Sequence, residues 1–421
     1  MVMDLWGSTP TGKTILRAAR LFDGTGGPVR HNAAVIAQDS RIVAVARSSD
    51  VPRETAGGVT DLDLGDATLL PGLIDVHTHL TFGFGTKGRK YEEVMRDDSD
   101  DLMLARSIRN AQTHLAVGVT TLRDCGCRNS VTFSTREAFQ KGVFFGPGVL
   151  VAGRPITITG GHFFFCNGEV DGPDEARKIT RALIKQGADF IKIMASGGGT
   201  AITDRRRYSF SVAELAAIAE EAHREGRLVT AHCHSTQAIR NALAAGIDCI
   251  EHASFIDPEN KRTYDEQVAD EIARKGVYVS PCISTNYRTY EELKCRESVL
   301  SPSEEARMHD QYQTALERIE ILRRLWKNGV KIVAGTDSIA VFGDYALGLE
   351  MMVWAGMTPS DAIVAGTGEA ARAIGILDRT GTVEVGKDAD LIACANDPLE
   401  DIRALGKPTM VMRGGRFFIS P

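Results

Sequence analysis

The sequence predicts an α/β protein, a (β/α)8 TIM-like barrel with a small β-sandwich domain formed from both chain ends. Two observations predict this fold. Both ends of the chain read as short strands, whereas the middle alternates short apolar strands with helical stretches. The middle contains eight such strand and helix units, and eight parallel strands close a barrel of this kind.

The first part of the predicted β domain lies in residues 14–70. This region is rich in short runs of β-branched and alternating apolar residues. The residues Gln38–Arg41 are predicted to form the turn of a hairpin between strands over residues 33–37 and 42–46.

The end of the chain returns to the same pattern, over residues 381–387, 389–393 and 409–419. We therefore predict one composite β domain from residues 1–70 and 376–421, beside a catalytic barrel over residues 71–375. This β domain carries no recognisable chemistry, so we expect it to be structural or to form a homo-oligomer.

The predicted barrel strands begin at Leu73, Val119, Val149, Phe190, Leu228, Cys249, Val277 and Ile332. Helical apolar spacing is found over residues 101–117, 174–186, 212–225, 237–245, 266–275, 304–328, 350–354 and 359–374. In a parallel barrel the carboxyl ends of all strands meet on one face. Side chains at those ends therefore come together even when they are far apart in the sequence.

Composition favours small-molecule chemistry. The chain has 421 residues, 43% of them hydrophobic, and a net charge of -6 without a basic run, which argues against nucleic acid and anionic membranes as partners. No apolar stretch is long enough to cross a bilayer, and residues 1–14 lack a signal pattern, so we expect a cytoplasmic protein. The eight cysteines are scattered, as reduced core thiols are.

The first barrel strand ends in two histidines, His77 and His79, one residue apart. Because side chains alternate along a strand, both imidazoles face the same way and can meet one cation. Two histidines packed in a core are the alternative for this pair taken alone. The residues at the other strand ends favour the metal site.

Four more strands end in residues that bind metals: Lys192 on the fourth, His232 on the fifth, His252 on the sixth and Asp337 on the eighth. Imidazole and carboxylate ligands suit zinc or a similar divalent metal. A helix N-cap is the alternative for Asp337. Lys192 lies among apolar residues, and burial favours its neutral amine, which reacts with carbon dioxide to form a carbamate that bridges two metals.

The motifs GLIDVHTH, FIKIMASGG, VTAHCHS, IEHASFID, VAGTDS and GTVEVGKDADLI resemble those of the amidohydrolase superfamily. More narrowly they are similar to its imidazolonepropionase-like and prolidase-like branch, which includes metal-dependent dipeptidases and N-acyl amino acid hydrolases. The resemblance extends from about Ile15 to Phe418. It implies two divalent ions, with zinc the expected metal.

The resemblance also implies how the ligands divide: His77, His79 and Asp337 on one metal, His232 and His252 on the other, and a carboxylated Lys192 between them. A hydroxide bridging the metals is the implied nucleophile. Two cations make hydroxide available at neutral pH, and Asp337 can pass its proton to the leaving amine.

Residues beside the ligands are candidates for substrate contacts. His162 ends the third strand and His234 follows His232 on the same side, so both are expected to contact substrate or its oxyanion, although His162 is equally well explained as a loop residue. Arg207 and Tyr208 follow the fourth strand and are predicted to bind a substrate carboxylate, with a solvated charge run as the alternative.

Aromatic residues are concentrated after the first and third strands, at Phe82, Phe84 and Phe163–Phe165. On such loops they suggest an apolar, aromatic pocket. We therefore expect a binuclear hydrolase of peptidase or linear amidase type that cleaves a dipeptide or N-acyl amino acid. The alternatives are hydrolysis of a urea, carbamate or aryl-amide xenobiotic by the same centre, or a non-catalytic binding protein on this fold.

Overall fold

The computed structural model describes residues 12–55, 57–83, 85–86, 88–296 and 299–421. Its first strands are β1 Lys13–Leu21, β2 Arg30–Gln38, β3 Arg41–Arg47, β4 Val59–Asp63 and β5 Thr68–Pro71. The predicted hairpin is confirmed, because β2 and β3 pair antiparallel with Gln38 opposite Arg41.

Alternation of strands and helices begins at β6. The elements are β6 Leu73–Thr78, α1 Tyr91–Asp97, α2 Asp100–Ala116, β7 Val119–Asp124, α3 Val131–Gln140, β8 Gly148–Val151, α4 Pro173–Lys185, β9 Ile191–Met194, α5 Val212–Arg224, β10 Val229–Ser235, α6 Thr236–Ala244, β11 Cys249–Ile256, α7 Glu266–Lys275, β12 Tyr278–Ser280, α8 Ser284–Lys294, α9 Pro302–Lys327 and β13 Lys331–Ile332. Several helices begin at a serine cap, for example Ser211 before α5 and Ser301 before α9, each paired with a glutamate three residues later.

The strands of this region are parallel and form two sheets, ordered β6-β7-β8 and β13-β12-β11-β10-β9. The sheets meet at both edges. At one edge Ile156 bridges Ile193, and at the other Thr78 bridges Ser338, both in parallel register. Consecutive strands therefore lie side by side, with their carboxyl ends toward the same face of the molecule.

The chain ends with α10 Tyr345–Trp354, α11 Pro359–Ala365, α12 Gly368–Ala373, β14 Leu391–Cys394, β15 Met410–Arg413 and β16 Arg416–Ile419. Strands from both chain ends share one sheet, ordered β16-β15-β14-β5-β1-β2-β3, with β4 also paired to β1. This composite sheet has its own apolar core, in which Leu16 and Val35 pack with Leu391 and Met410. A much larger core lies between the parallel strands and their helices.

The structure differs from the predicted elements in three ways. Residues 381–387 were expected to form a strand but form turns, since Gly381 and Gly386 have φ angles of 94° and 92°. The helix expected over residues 359–374 breaks at Gly366, where a Cβ would lie 2.7 Å from the Tyr345 hydroxyl. Helices α1, α3 and α8 were not predicted.

Within the described parts of the chain, none of the helices combines the length and the apolar composition that crossing a bilayer would need.

Candidate functional site

The carboxyl ends of the parallel strands bring four of the predicted ligands into contact. The Nε2 atoms of His77 and His79 lie 3.4 Å apart, and Asp337 Oδ1 lies 3.5 Å and 3.7 Å from them. Lys192 Nζ is 3.4 Å from His77 Nε2. Strand β6 therefore supplies His77, the residue after this strand is His79, β9 supplies the lysine and the segment after β13 the carboxylate.

A second group lies beside the first and contains only histidines. The imidazole of His232 is 4.4 Å from that of His234 and 4.5 Å from that of His252, measured between ring centres. The rings of His252 and His77 are 5.2 Å apart, so the two groups adjoin. The structure thus adds His234 to the pair that the sequence grouped together.

The spacing of these atoms fits metal binding. In a tetrahedral site with bonds of about 2.0 to 2.1 Å, ligand atoms lie about 3.4 Å apart. The separations among His77, His79 and Asp337 match this value. Ring nitrogens of His232, His234 and His252 likewise come within 4.8 Å of one another. Two adjacent groups of side chains that could hold a divalent ion are therefore candidate metal sites.

Hydrogen bonds fix the orientation of the imidazoles. His77 Nδ1 lies 2.8 Å from Glu251, and His79 Nδ1 lies 3.1 Å from the carbonyl oxygen of Gly126. In the second group, His234 Nδ1 lies 2.8 Å from the hydroxyl of Ser254. Metal-bound histidines usually have such a partner on the second ring nitrogen, since it fixes the tautomer.

Glu251 is completely buried and links two parts of the site. It accepts hydrogen bonds from Arg123 and Thr230, each at 2.5 Å, in addition to its contact with His77. Burial alone would raise the pKa of Glu251, but its interactions with His77 and with the Arg123 guanidinium outweigh burial and hold the pKa far below the ordinary value. The side chain is therefore a carboxylate.

Burial keeps the imidazoles of His79, His232 and His252 neutral at pH 7. It lowers the pKa of His79, His232 and His252 well below the ordinary value, and neighbouring imidazoles add to the effect. Burial also lowers the pKa of His162 to about 3. Neutral imidazole is the form that binds a metal.

The backbone around the ligands is strained. His252, Asp337, Cys282 and Phe163 have φ angles of 70°, 51°, 47° and 61°, which residues with a side chain rarely adopt. Strain of this kind is concentrated at functional sites, where the surrounding structure holds it. His252 lies within β11 and lines the cavity described next.

A cavity of about 690 Å³ opens above the ligands. His79, His162, His232, His234, His252 and Asp337 all line it. The other charged residues in its wall are Arg89, Arg205, Arg262, Arg288, Arg296, Arg307, Arg318 and Glu292. Seven arginines and two carboxylates thus line the cavity. Four of the arginines pair with carboxylates outside the wall, Arg89 with Asp98, Arg262 with Glu317, Arg288 with Asp344 and Arg296 with Glu304. The wall still carries more arginines than carboxylates, which suits an anionic ligand.

The predicted substrate residues fall into two sets. His162 and His234 line the cavity, and Phe163 does too. Arg207 and Tyr208 are not among the described residues that line it, and the Arg207 side chain is 84% exposed beside Asp204. In the same loop it is Arg205 that reaches the cavity wall. Phe82 packs against Phe163, while Phe84 lies outside the described residues.

Sequence reasoning missed Glu251, Arg123 and Cys282, whose Sγ is 3.3 Å from His77 Nδ1. A signal was present for the first two, because each is a charged residue within an apolar strand. The cavity arginines gave no such signal, since they come from separate loops and helices.

Comparison with known proteins identifies the family. A family model described as "Amidohydrolase family" matches residues 68–418. The chain belongs to the amidohydrolase family. It is accordingly a hydrolase of amidohydrolase type. The family match confirms the resemblance that the sequence motifs indicated. The ochratoxinase of Aspergillus niger is 32% identical over 97% of this chain and 87% of its own length.

Solved structures of other amidohydrolase-like proteins superpose on the whole chain. A Xaa-Pro dipeptidase with bound methionine in its active site is 28% identical, with a TM-score of 0.85, and covers 97% of this chain and 100% of its own. The structure of A. niger ochratoxinase is also 28% identical, with a TM-score of 0.82 over 97% and 96% of the two chains. Phenylurea hydrolase B, 23% identical with a TM-score of 0.77, shares the fold.

Proposed function

We propose that this amidohydrolase cleaves an amide bond in a small substrate that carries a carboxylate, such as a dipeptide or an N-acyl amino acid. The observation that carries the proposal is the cavity wall, where seven arginines adjoin the histidine groups. The similar Xaa-Pro dipeptidase, whose active site holds methionine, gives further support.

The fold in this proposal is a (β/α)8 barrel over residues 71–375, with a β domain from residues 1–70 and 376–421. The two parallel sheets meet at both edges through Ile156–Ile193 and Thr78–Ser338, which supports a closed ring of strands. The predicted functional residues lie at the carboxyl ends of those strands, where active sites of such barrels are found.

The metal centre in this proposal holds two zinc ions. His77, His79 and Asp337 would bind one ion, and His232 and His252 the other. Lys192 would lie between them as a carbamate, formed when its neutral amine adds carbon dioxide and loses a proton. Complete burial of Lys192 supports this, since an ammonium beside two cations would be strongly repelled. Bound divalent ions polarise the scissile carbonyl and lower the pKa of water.

The residues around the ligands would perform the remaining steps. The Asp337 carboxylate, partly exposed to the cavity, accepts the proton of the attacking water and returns it to the leaving amine. His162 and His234 each have Nδ1 in contact with a hydroxyl, of Thr200 and Ser254 respectively. The other ring nitrogen remains to stabilise the oxygen of the tetrahedral intermediate.

Two arginines beside His234 are the candidates for binding the carboxylate. Arg318 is buried and, among the described residues, donates only to uncharged oxygens, those of Asn286, Pro281 and Cys282. Arg262 pairs with Glu317 through Nη1, while its buried Nε has no acceptor. A substrate carboxylate would neutralise Arg318 and supply the acceptor that Arg262 lacks.

The test compares matched substrates on zinc-loaded protein: dipeptides and N-acyl amino acids with a free carboxylate, the same compounds as carboxamides, and neutral phenylureas. We expect kcat/KM to fall about 10- to 100-fold when the carboxylate is replaced by a carboxamide. A loss of this size corresponds to about one or two charge-assisted hydrogen bonds. Arg318→Gln should remove this preference, whereas the control Arg207→Gln should retain it. Equal or faster turnover of the phenylureas would contradict a substrate that carries a carboxylate. It would favour a neutral xenobiotic as the substrate.

A further inference from the structure

A second cavity lies at the opposite, amino-terminal end of the parallel strands, between them and the composite sheet. Its volume is about 510 Å³, the size of a site for a small organic molecule. Strand β7, the segment before β10 and the segment that joins β15 and β16 all contribute to its wall. We call the cavity of about 690 Å³ that His79, His162, His232, His234 and His252 line the histidine cavity. None of the described residues lines both cavities.

The wall of this second cavity is also positive. Its arginines are Arg123, Arg136, Arg227, Arg379, Arg413 and Arg416, against the three carboxylates of Asp189, Asp388 and Asp390. Each of these carboxylates is paired to an arginine of the wall, Asp189 to Arg136 at 2.5 Å, Asp388 to Arg379 at 3.5 Å and Asp390 to Arg413 at 3.6 Å. Asp388 also pairs with Arg41, and Arg123 pairs with Glu251. Positive charge remains beyond what the wall itself neutralises.

Arg413 is only weakly paired. Its Nη1 is 3.6 Å from Asp390, a carboxylate that already accepts hydrogen bonds from Gly414 N at 2.7 Å and from the Thr380 hydroxyl at 3.1 Å. The Nε of Arg413 is shielded from solvent and has no acceptor. One edge of this guanidinium therefore lacks the oxygen atom that a buried donor requires.

Arg227, like Arg413, has a buried guanidinium Nε without an acceptor. Within the described parts of the chain its side chain makes no ion pair or hydrogen bond, and its Nε is shielded from solvent without an acceptor. The residue lies immediately before β10, on the cavity wall. Two guanidinium groups on one wall thus share the same deficiency, which an anion with two oxygen atoms would satisfy.

The cavity also offers flat apolar surfaces. Phe139, Phe144, Phe145 and Phe190 line it, and the guanidinium carbon of Arg416 lies 4.5 Å above the ring centre of Phe145. Aromatic rings beside guanidinium groups suit a planar ligand that carries a negative charge.

We infer that this cavity is a second binding site, specific for a small aromatic carboxylate. Arg227 and Arg413 bind the carboxylate oxygens, and the ring of the ligand packs against the phenylalanines. The site is independent of the proposed function, since no residue of the histidine cavity takes part in it.

The first test locates the ligand directly. Crystals of the wild-type protein are soaked with 4-bromobenzoate, and the anomalous signal of bromine is mapped. We expect a bromine peak in the second cavity, with the carboxylate toward Arg227 and Arg413. A peak confined to the histidine cavity, or no peak, would overturn the inference whether or not the protein proves to be an amidase.

The second test measures affinity in solution by calorimetry with benzoate, acetate and inorganic phosphate. Arg227→Gln and Arg413→Gln should each weaken benzoate binding at least tenfold at this site. Arg207→Gln, which removes an arginine that is 84% exposed, should leave it unchanged. Acetate or phosphate binding as tightly as benzoate would refute the aromatic preference, and wild-type affinity in Arg227→Gln would refute the site.

Discussion

Two buried basic residues, Lys192 in the site and Arg17 in the composite sheet, have opposite surroundings. Among the described residues, Lys192 Nζ has one partner at hydrogen-bond distance, a nitrogen of His77. Arg17 is also buried, but it donates to both oxygens of Asp61 and to the carbonyl oxygens of Ser48, Val51 and Pro52.

This difference in hydrogen-bond partners indicates that Arg17 serves stability and Lys192 serves function. A buried charge with all its hydrogen bonds made is part of the architecture, whereas one that lacks partners is costly and indicates a missing component. The chain itself supplies the hydrogen-bond partners of the Arg17 side chain. The Lys192 side chain requires a covalent modification or a bound ligand to supply its partners. The following predictions test this contrast, from the largest effect to the smallest.

The largest effect is expected for Lys192→Ala. Without the bridging group the protein should lose its bound metal and its activity, and added short-chain carboxylic acids should partly restore both. Elemental analysis and turnover measure the two losses. Lys141→Ala, which changes a lysine that is 68% exposed, is the control. Full activity of Lys192→Ala, or high-resolution density for an unmodified amine in metal-loaded protein, would show that the carbamate is absent.

A smaller loss is expected for Asp337→Asn. The carboxamide cannot accept or return a proton, so kcat should fall by about two to four powers of ten while the fold and the bound metal remain. Steady-state kinetics with metal analysis of the same sample checks both parts, and the surface variant Asp204→Asn serves as control. Turnover near the wild-type rate would remove Asp337 from the proposed proton transfer.

Glu251→Gln tests whether the buried carboxylate positions His77. Loss of the charge behind the ligating imidazole should weaken metal affinity about 10- to 100-fold. Competition with a chromogenic chelator measures this affinity, and Glu220→Gln, at a glutamate 65% exposed, provides the comparison. If affinity changed less than twofold, the contact at 2.8 Å would be structural only.

A substitution in the composite sheet should lower the stability of the protein and leave its activity unchanged. Hydrogen bonds from Arg17 lower the pKa of Asp61 to about 2. The folded protein therefore gains stability from the ionised pair above about pH 4, and this gain is lost as the pH falls from about 4 to about 2. Asp61→Asn should cost about 3 kcal/mol at pH 7, because Arg17 is left buried without its counter-ion.

Thermal unfolding at pH 7 and at pH 3 measures this effect, with Asp63→Asn, at an aspartate 54% exposed, as the matched control. A loss of activity in Asp61→Asn without a loss of stability would contradict the contrast between Lys192 and Arg17.

Much of this molecule could be predicted from the sequence, because short-range patterns encode it. The spacing of His77 and His79 on one strand, and the position of His232 and His252 at the ends of others, required only the alternation of side chains and the direction of parallel strands. Chain direction and periodicity therefore sufficed to predict that these candidate ligands lie together.

Contacts between distant residues could not be predicted in the same way. Glu251 meets His77 across 174 positions in the sequence, and nothing local indicates that partner. The choice of Arg205 over Arg207 for the cavity wall depends on the path of one loop, which composition does not determine. Residues 381–387 have strand-like alternation, but two glycines with positive φ turn the chain there.

The composite sheet also has a consequence for synthesis of the protein. Strand β5 pairs with β14, so that Leu69 lies opposite Ala393, more than three hundred residues later. At about 5 to 20 residues per second, the ribosome needs roughly 20 to 60 seconds to make the partner strand. Throughout that interval one edge of the first strands stays unpaired in the nascent chain. Such an edge is open to pairing with other chains, so protection during translation matters more for this region than for the parallel strands β6 to β13.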